Sequence, residues 1–174
     1  NSEVVYERDC PVKVPLPVGP IYGTKSGKLL DPVKVQKGRQ REMDLAHSHR
    51  VFVETHEDYV RGGKRERSRW LDDMKGAEVR SRLVVTQLNR YFRDDVSHCT
   101  PALKFLRLLL SLAATFSSVG AVHDYIIAIH DVSVAFFNGI ASELTWVKFP
   151  EGLLKPKHWA RLLKAMYGTR EASR

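Results

Sequence analysis

The stretch IIAIHDVSVAFFNG, residues 126–139, decides the predicted fold. Its first half is an apolar run rich in β-branched residues, which predicts a buried strand. Asp131 follows that run, and small and aromatic residues then lead to an Asn-Gly turn. A carboxylate at the tip of a buried strand can hold a divalent cation for phosphoryl transfer, because Mg²⁺ prefers oxygen ligands. An Asp in such a place is more often a helix N-cap or a turn residue, so the flanking sequence has to decide.

The segments on either side of this stretch predict one strand and one helix. Residues 145–149 alternate like a half-buried strand and stop at a Pro-Glu-Gly turn. Residues 158–166 are compatible with a strand or a helix, since their periodicity favours neither, and Tyr167-Gly168 ends them. Upstream, Pro101 starts an almost wholly apolar helix over residues 101–116. We expect this helix to be buried on most sides and to form the main core element.

The first hundred residues predict a leader, a surface helix and several strands. Residues 1–30 are rich in Pro and Gly and predict an extended leader or linker. Asp31 and Pro32 are typical of an N-cap and a first helical residue, so residues 33–49 predict a mostly polar helix, although Gly38 is unfavourable there. Strands are predicted at residues 51–54, 70–74 and 80–86. Arg80 and Arg82 would share one face of the last of these.

Composition favours a globular chain with an affinity for polyanions. The chain has 174 residues, of which 43% are hydrophobic, and a formal charge of +8. A basic surface attracts phosphate backbones without reading sequence, although it is equally compatible with a merely solvated surface. No apolar run approaches the roughly 18 residues of a membrane span, and no signal peptide is recognisable. We therefore expect no membrane partner and an intracellular location, in a cytoplasmic particle or the nucleus. The start without Met suggests a piece of a longer product.

Five blocks of the sequence, in order, resemble the reverse transcriptases of copia-type retrotransposons. The quoted stretch ends with DVSVAFFNG, which is similar to the Asp-Val-x-x-Ala-Phe-Leu-Asn-Gly motif of that family. The other four blocks are VRSRLVV (residues 79–85), TP with LLLSLAA (100–101 and 108–114), WVKFPEG (146–152) and LKAMYGTREAS (163–173). The resemblance covers residues 70–174.

The resemblance implies an RNA-directed DNA polymerase and assigns the metal and sugar contacts. Asp131 is expected to be the catalytic carboxylate and a Mg²⁺ ligand, assisted by the carbonyl of Val132. Two-metal chemistry would join a deoxynucleoside triphosphate to a DNA primer on an RNA template. Phe136 matches the position whose bulk excludes a ribose 2′-hydroxyl, and Ala135 would let the triphosphate approach. Taken alone, Phe136 is compatible with a core aromatic residue.

The resemblance also assigns contacts to the triphosphate and the nucleic acid. Arg80 and Arg82 would supply cations to the triphosphate, although alone they are equally compatible with a solvated strand face. Tyr167 and Gly168 would lie over the incoming base and the template. The nucleic-acid contacts are expected from basic residues of the fingers and of the last block: Lys64, Arg65, Arg67 and Arg170.

The expected architecture is α+β, with reverse-transcriptase-like fingers and a partial palm in which a mostly antiparallel sheet packs on helices. After the leader, residues 31–99 would form the fingers and residues 100–174 the partial palm. The Tyr-x-Asp-Asp hairpin that supplies further carboxylates in the family occurs nowhere in the sequence. The two-metal site would thus be incomplete, and the remainder of the Pol polyprotein is an expected partner. We expect the chain alone not to polymerise.

Two other classes of function are compatible with the sequence. A non-catalytic, basic nucleic-acid-binding relic of the same fold would bind a primer-template without extending it. A structural domain without a ligand would bind no nucleic acid even at low salt.

Overall fold

The computed structural model describes residues 12–87, 103–118 and 135–169, without the side chains of residues 116–118. The chain divides into two compact units, of which the first comprises residues 1–96 and 134–174 and the second residues 97–133. Asp131, Val132 and Arg170 lie outside the described residues, as does most of the stretch that decides the predicted fold.

The described elements mix helices and strands, as the sequence predicts. In chain order they are β1 (Ile21–Tyr22), β2 (Leu29–Leu30), α1 (Pro32–Ser48), β3 (Phe52–His56), β4 (Lys64–Lys75), β5 (Glu78–Val85), α2 (Leu103–Ser118), β6 (Thr145–Lys148) and β7 (His158–Leu162). Two short 3₁₀ turns, Glu57–Tyr59 and Ala135–Asn138, complete them.

Five strands form one sheet in the first unit, in the order β3-β7-β6-β4-β5. The pairs β3–β7, β6–β7 and β4–β5 are antiparallel, whereas β4 and β6 run parallel. Strand β4 pairs with β6 through its first third and with β5 through the remaining two thirds. The described sheet is therefore mostly antiparallel, as expected, and β5 lies at one edge of it. The segment predicted as either a strand or a helix begins as strand β7.

Helix α1 begins as its sequence predicts. The Asp31 side chain caps it by accepting bonds from the backbone amides of Val33 and Lys34, and Pro32 occupies its first turn. The unfavourable Gly38 has a packing reason. A Cβ atom there would lie 2.6 Å from the carbonyl oxygen of Val79, so α1 approaches β5 closely only because this position lacks a side chain.

The core of the first unit lies between α1, the inner face of the sheet and the segments that follow β6 and β7. Its buried side chains are Val14, Met43, Ala46, Val51, Leu83, Val85, Phe137, Val147, Phe149, Leu153, Ala160, Leu162 and Met166. Because Val14 belongs to this cluster, the described part of the predicted leader packs with the rest of the unit.

Helix α2 forms close to where it was predicted, but its expected role in the core is wrong for the described residues. The large apolar side chains between Leu103 and Leu112 are all more than two-fifths exposed. None of them belongs to the buried clusters. The apolar composition of a segment predicts burial only if the fold brings a partner against it, which periodicity alone does not show.

Candidate functional site

The candidate site is built at the edge strand β5, where the chain after β7 returns to it. The amide of Val85 donates to the carbonyl of Tyr167 at 2.8 Å. Gly168 follows with a φ of +82°, and a Cβ atom there would lie 2.1 Å from the carbonyl oxygen of Val85. Backbone conformation and space both require glycine at this position, and this fixes Tyr167 beside β5.

Three of the predicted nucleotide contacts meet at this point. The guanidinium of Arg82 lies over the ring of Tyr167, with its carbon 5.2 Å from the ring centroid. The ring of Phe136 meets Tyr167 edge to face at a centroid distance of 5.0 Å. Phe136 is 36% exposed, whereas its neighbour Phe137 is fully buried. Phe136 is therefore a surface aromatic residue rather than a core one, and Ala135 lies exposed in the same turn.

A cavity of about 280 Å³ opens between α1 and β5 next to these rings. Arg80, Arg82 and Tyr167 line it from the sheet side, and Arg41 and Glu42 from the helix. The two arginines also line a second hollow, of about 250 Å³, together with Lys25, Asp73 and Lys75. Arg80 and Arg82 can thus reach a ligand from either side of the sheet edge, because β5 carries no further strand beyond it among the described elements.

Glu42 is a residue of this cavity that the sequence prediction missed. It is only 8% exposed, and its Oε1 atom has no hydrogen-bond partner among the described residues. Burial raises the pKa of the Glu42 carboxyl, although the backbone amide of Leu83 and the charges of Arg82 and Arg80 act in the opposite direction. Helical spacing could have found it, because Glu42 follows Val35 by seven residues and precedes Ala46 by four, on the buried stripe of α1.

The pKa of the Tyr167 hydroxyl depends on the same neighbours. Burial raises the pKa of the Tyr167 hydroxyl, and the nearby Glu42 carboxyl raises it further, while Arg82 and Arg80 lower it. The phenol is accordingly neutral at physiological pH and acts as a ring surface with a hydrogen-bonding hydroxyl.

A row of cations runs along the outer face of the sheet. Arg65, Arg67 and Arg69 alternate with less exposed residues of β4 and are all exposed. Lys148 of β6 is paired in register with Arg67, and Arg161 of β7 with Trp146. Like charges directly opposite one another destabilise a sheet, so the pairing of Arg67 with Lys148 favours a surface that meets an anion.

Lys64 does not join this outer row. It alternates with Arg65 and so faces the opposite side of β4, where its ammonium group forms an ion pair with Glu143. Of the predicted nucleic-acid contacts, Arg65 and Arg67 lie on the basic face and Lys64 lies away from it. The sequence prediction did not include Arg69, Lys148 and Arg161, because their strand pairing cannot be inferred from their positions in the chain.

Two of the described acidic side chains, Asp72 and Asp73, serve structural roles. Asp72 is buried and binds Arg39 through two hydrogen bonds, of 2.7 and 3.3 Å. Asp73 accepts bonds from the Ser26 hydroxyl and the Lys25 amide, which holds the turn between β1 and β2. The Ser26 hydrogen bond is the main cause of the lowered pKa of Asp73. Within residues 12–87, 103–118 and 135–169, no three His, Cys, Asp or Glu side chains are grouped to hold a metal ion.

The chain matches none of the protein-family models, curated proteins or solved structures with which it was compared. Among the described helices, none has the length and apolar character required to cross a bilayer.

Proposed function

We propose that this chain is part of the RNA-directed DNA polymerase of a copia-type retrotransposon, comprising fingers and a partial palm. The observation that carries the proposal is the cluster of Arg82, Phe136 and Tyr167. These residues come from three separate blocks of the family resemblance. Arg82 and Phe136 both contact the ring of Tyr167, and Arg82 and Tyr167 line one cavity. A domain without a ligand has no need to bring them together at an exposed sheet edge.

The cluster has the chemistry that a nucleoside triphosphate requires. The guanidinium groups of Arg80 and Arg82 can form paired, charge-assisted hydrogen bonds to phosphate oxygens. The ring of Tyr167 offers a surface for stacking a base, and such stacking contributes about 1–3 kcal/mol for each base. The partly exposed ring of Phe136 would limit the space available beside the sugar. The basic face, comprising Arg65, Arg67, Arg69, Lys148 and Arg161, would hold the backbone of the template or primer.

Mg²⁺ belongs to this proposal only through residues outside the described ranges, Asp131 and Val132. The described carboxylates do not fit the ion. Asp72 is occupied by Arg39, Asp73 by the Ser26–Lys25 turn, and Glu42 is a single buried carboxyl. Nucleotide and nucleic-acid binding therefore form the testable part of the proposal.

Nucleotide binding by Arg82 is the first test, by titration calorimetry with dTTP. We expect Arg82→Gln to weaken binding by about 10- to 100-fold, since a hydrogen bond to a charged group contributes roughly 1.5–3 kcal/mol. Lys157→Gln is the matched control, because Lys157 is an exposed cation beside β3 at the opposite edge of the sheet. Equal dTTP affinities for wild type and Arg82→Gln would contradict the proposal.

The second candidate is a non-catalytic nucleic-acid-binding relic of the same fold. The basic face favours it, because the binding of a nucleic-acid backbone to that face requires no carboxylate. Primer extension separates the two candidates. Salt-sensitive binding of a primer-template without dTTP binding would favour the relic. Mg²⁺-dependent incorporation that is lost in Asp131→Ala would show a complete polymerase and overturn our expectation that the chain alone is inactive.

A further inference from the structure

The burial of Glu42 is energetically unfavourable, and the proposed nucleotide contacts do not explain it. Glu42 is more than nine-tenths buried and lines the cavity between α1 and β5. The backbone amide of Leu83 contacts the carboxyl, while its Oε1 atom has no partner among the described residues. A buried, partly satisfied carboxyl destabilises the fold, so a reason for its presence has to be found in its surroundings.

The charges around Glu42 are mostly positive. The titratable groups that face the cavity are Arg41 on α1, Lys75 on β4, Glu78, Arg80 and Arg82 on β5, and Tyr167. Glu78 is already paired with Arg41 through two hydrogen bonds. Glu42 shares the cavity with Arg80 and Arg82, and it is the carboxylate of this cavity that forms no ion pair among the described residues.

We propose that this cavity is a phosphate site in which the charge of Glu42 acts on Arg80 and Arg82 without an ion pair, and in which Glu42 takes up a proton when a phosphate group binds the two arginines. The inference deepens the proposed function and rests on it for the identity of the natural ligand. The chemical class, a phosphate-bearing anion, follows from the two guanidinium groups and the adjacent aromatic ring.

The exchange is a proton uptake without any other covalent change. One proton from solvent binds to a carboxylate oxygen of Glu42 when the phosphate oxygens accept hydrogen bonds from Arg80 and Arg82. Burial already raises the pKa of Glu42, and the two arginines oppose that effect. A bound anion neutralises the charges of Arg80 and Arg82 and repels the Glu42 carboxylate. The pKa of Glu42 therefore rises further when the anion binds. By linkage, anion affinity must increase as the pH falls through the interval between the pKa of Glu42 in the free protein and its higher pKa in the complex.

Sulfate is the probe for the test, because its charge is constant where phosphate titrates. Sulfate binding is measured by calorimetry between about pH 5 and 8, in buffers of different ionisation enthalpy. For wild type we expect affinity to rise as the pH falls, by at most about tenfold per pH unit, with up to one proton taken up. Glu42→Gln should bind sulfate more tightly at the upper end of the range, with no dependence on Glu42 protonation.

Glu78→Gln is the matched control, since it removes a carboxyl of the same cavity that is exposed and paired with Arg41. We expect it to retain the pH dependence of wild type. Histidine titration is common to all three proteins and cancels in the comparison. Circular dichroism checks that Glu42→Gln folds; if it does not, proton uptake by wild type decides. A pH-independent wild-type affinity, a weakened Glu42→Gln, or no sulfate binding overturns the inference.

Competition against sulfate identifies the source of the phosphate and separates the two proposals. Displacement by dTTP indicates a triphosphate site, and displacement by a short oligonucleotide indicates a backbone site. Sulfate binding with proton uptake but no dTTP binding would support the anion site and contradict the nucleotide function. Binding of dTTP without proton uptake would support the function and overturn the role of Glu42.

Discussion

At the scale of single residues, Gly168 shows how the site depends on one backbone position. It combines a positive φ with a close approach to the backbone of β5. Gly19 has a similar φ of +86°, but a Cβ atom added there would meet no other atom within 4 Å. The two glycines thus separate the conformational requirement from the steric one.

We expect Gly168→Ala to destabilise the protein considerably more than Gly19→Ala. The φ requirement alone costs on the order of 1–3 kcal/mol, and contact with the Val85 carbonyl adds to it only at position 168. Urea denaturation followed by circular dichroism measures both losses. Equal losses would mean that the approach of Gly168 to β5 does not restrict the chain.

Single residues also show where sequence reasoning ends. Arg82, Phe136 and Tyr167 could be selected because short motifs carry them, and the structure brings these three together. Glu42 carries no motif, and its importance arises from burial beside β5, which depends on tertiary packing. Lys64 and Arg65 look alike in a basic run, yet they face opposite sides of β4, and Lys64 forms an ion pair with Glu143 there.

At the scale of elements, the contact of α1 with β5 determines the width of the cavity. Local signals predicted both elements, because caps and periodicity act over a few residues. The distance between them is set by Gly38, whose lack of a side chain is unfavourable for a helix considered alone. The full length of β4 and its parallel pairing with β6 could not be predicted, since strand order depends on contacts distant in sequence.

Gly38→Ala is therefore expected to reverse the usual helix rule. Alanine favours an isolated helix by about 1 kcal/mol, but here its Cβ would lie 2.6 Å from the Val79 carbonyl oxygen and 2.8 Å from the Ser81 hydroxyl. We expect a net loss of roughly 1–3 kcal/mol in the free energy of unfolding. Lys37→Ala, at an exposed neighbour, should change it by less than about 0.5 kcal/mol. A stabilised Gly38→Ala would refute the close packing of α1 on β5.

At the scale of the whole molecule, five of the described cations form one basic face. The basic face combines residues from β4, β6 and β7, which only the sheet brings together. Net charge predicts an affinity for polyanions, whereas the face to which we assign it could be recognised only from the strand order.

Replacing both Arg67 and Arg69 with Gln should reduce the salt dependence of primer-template binding. Each lost phosphate contact lowers the slope of log affinity against log salt by about 0.7–0.9, so we expect a fall of about 1.5. Replacing Lys28 and Lys37, exposed cations on other surfaces, removes the same charge and should leave the slope close to that of wild type. Equal slopes for the two double variants would place the nucleic acid elsewhere. Fluorescence anisotropy at several salt concentrations gives both values.

The order of the strands also has a consequence for how the protein is made. Strand β3 has no partner until β7 arrives, and β4 lacks one of its two partners until β6 arrives. The residues paired between these strands lie 81 to 110 positions apart in the chain. During synthesis, the first half of the chain must leave the ribosome with unpaired strand edges and wait for the second. Such non-local pairing slows folding and leaves a window in which the exposed edges can aggregate.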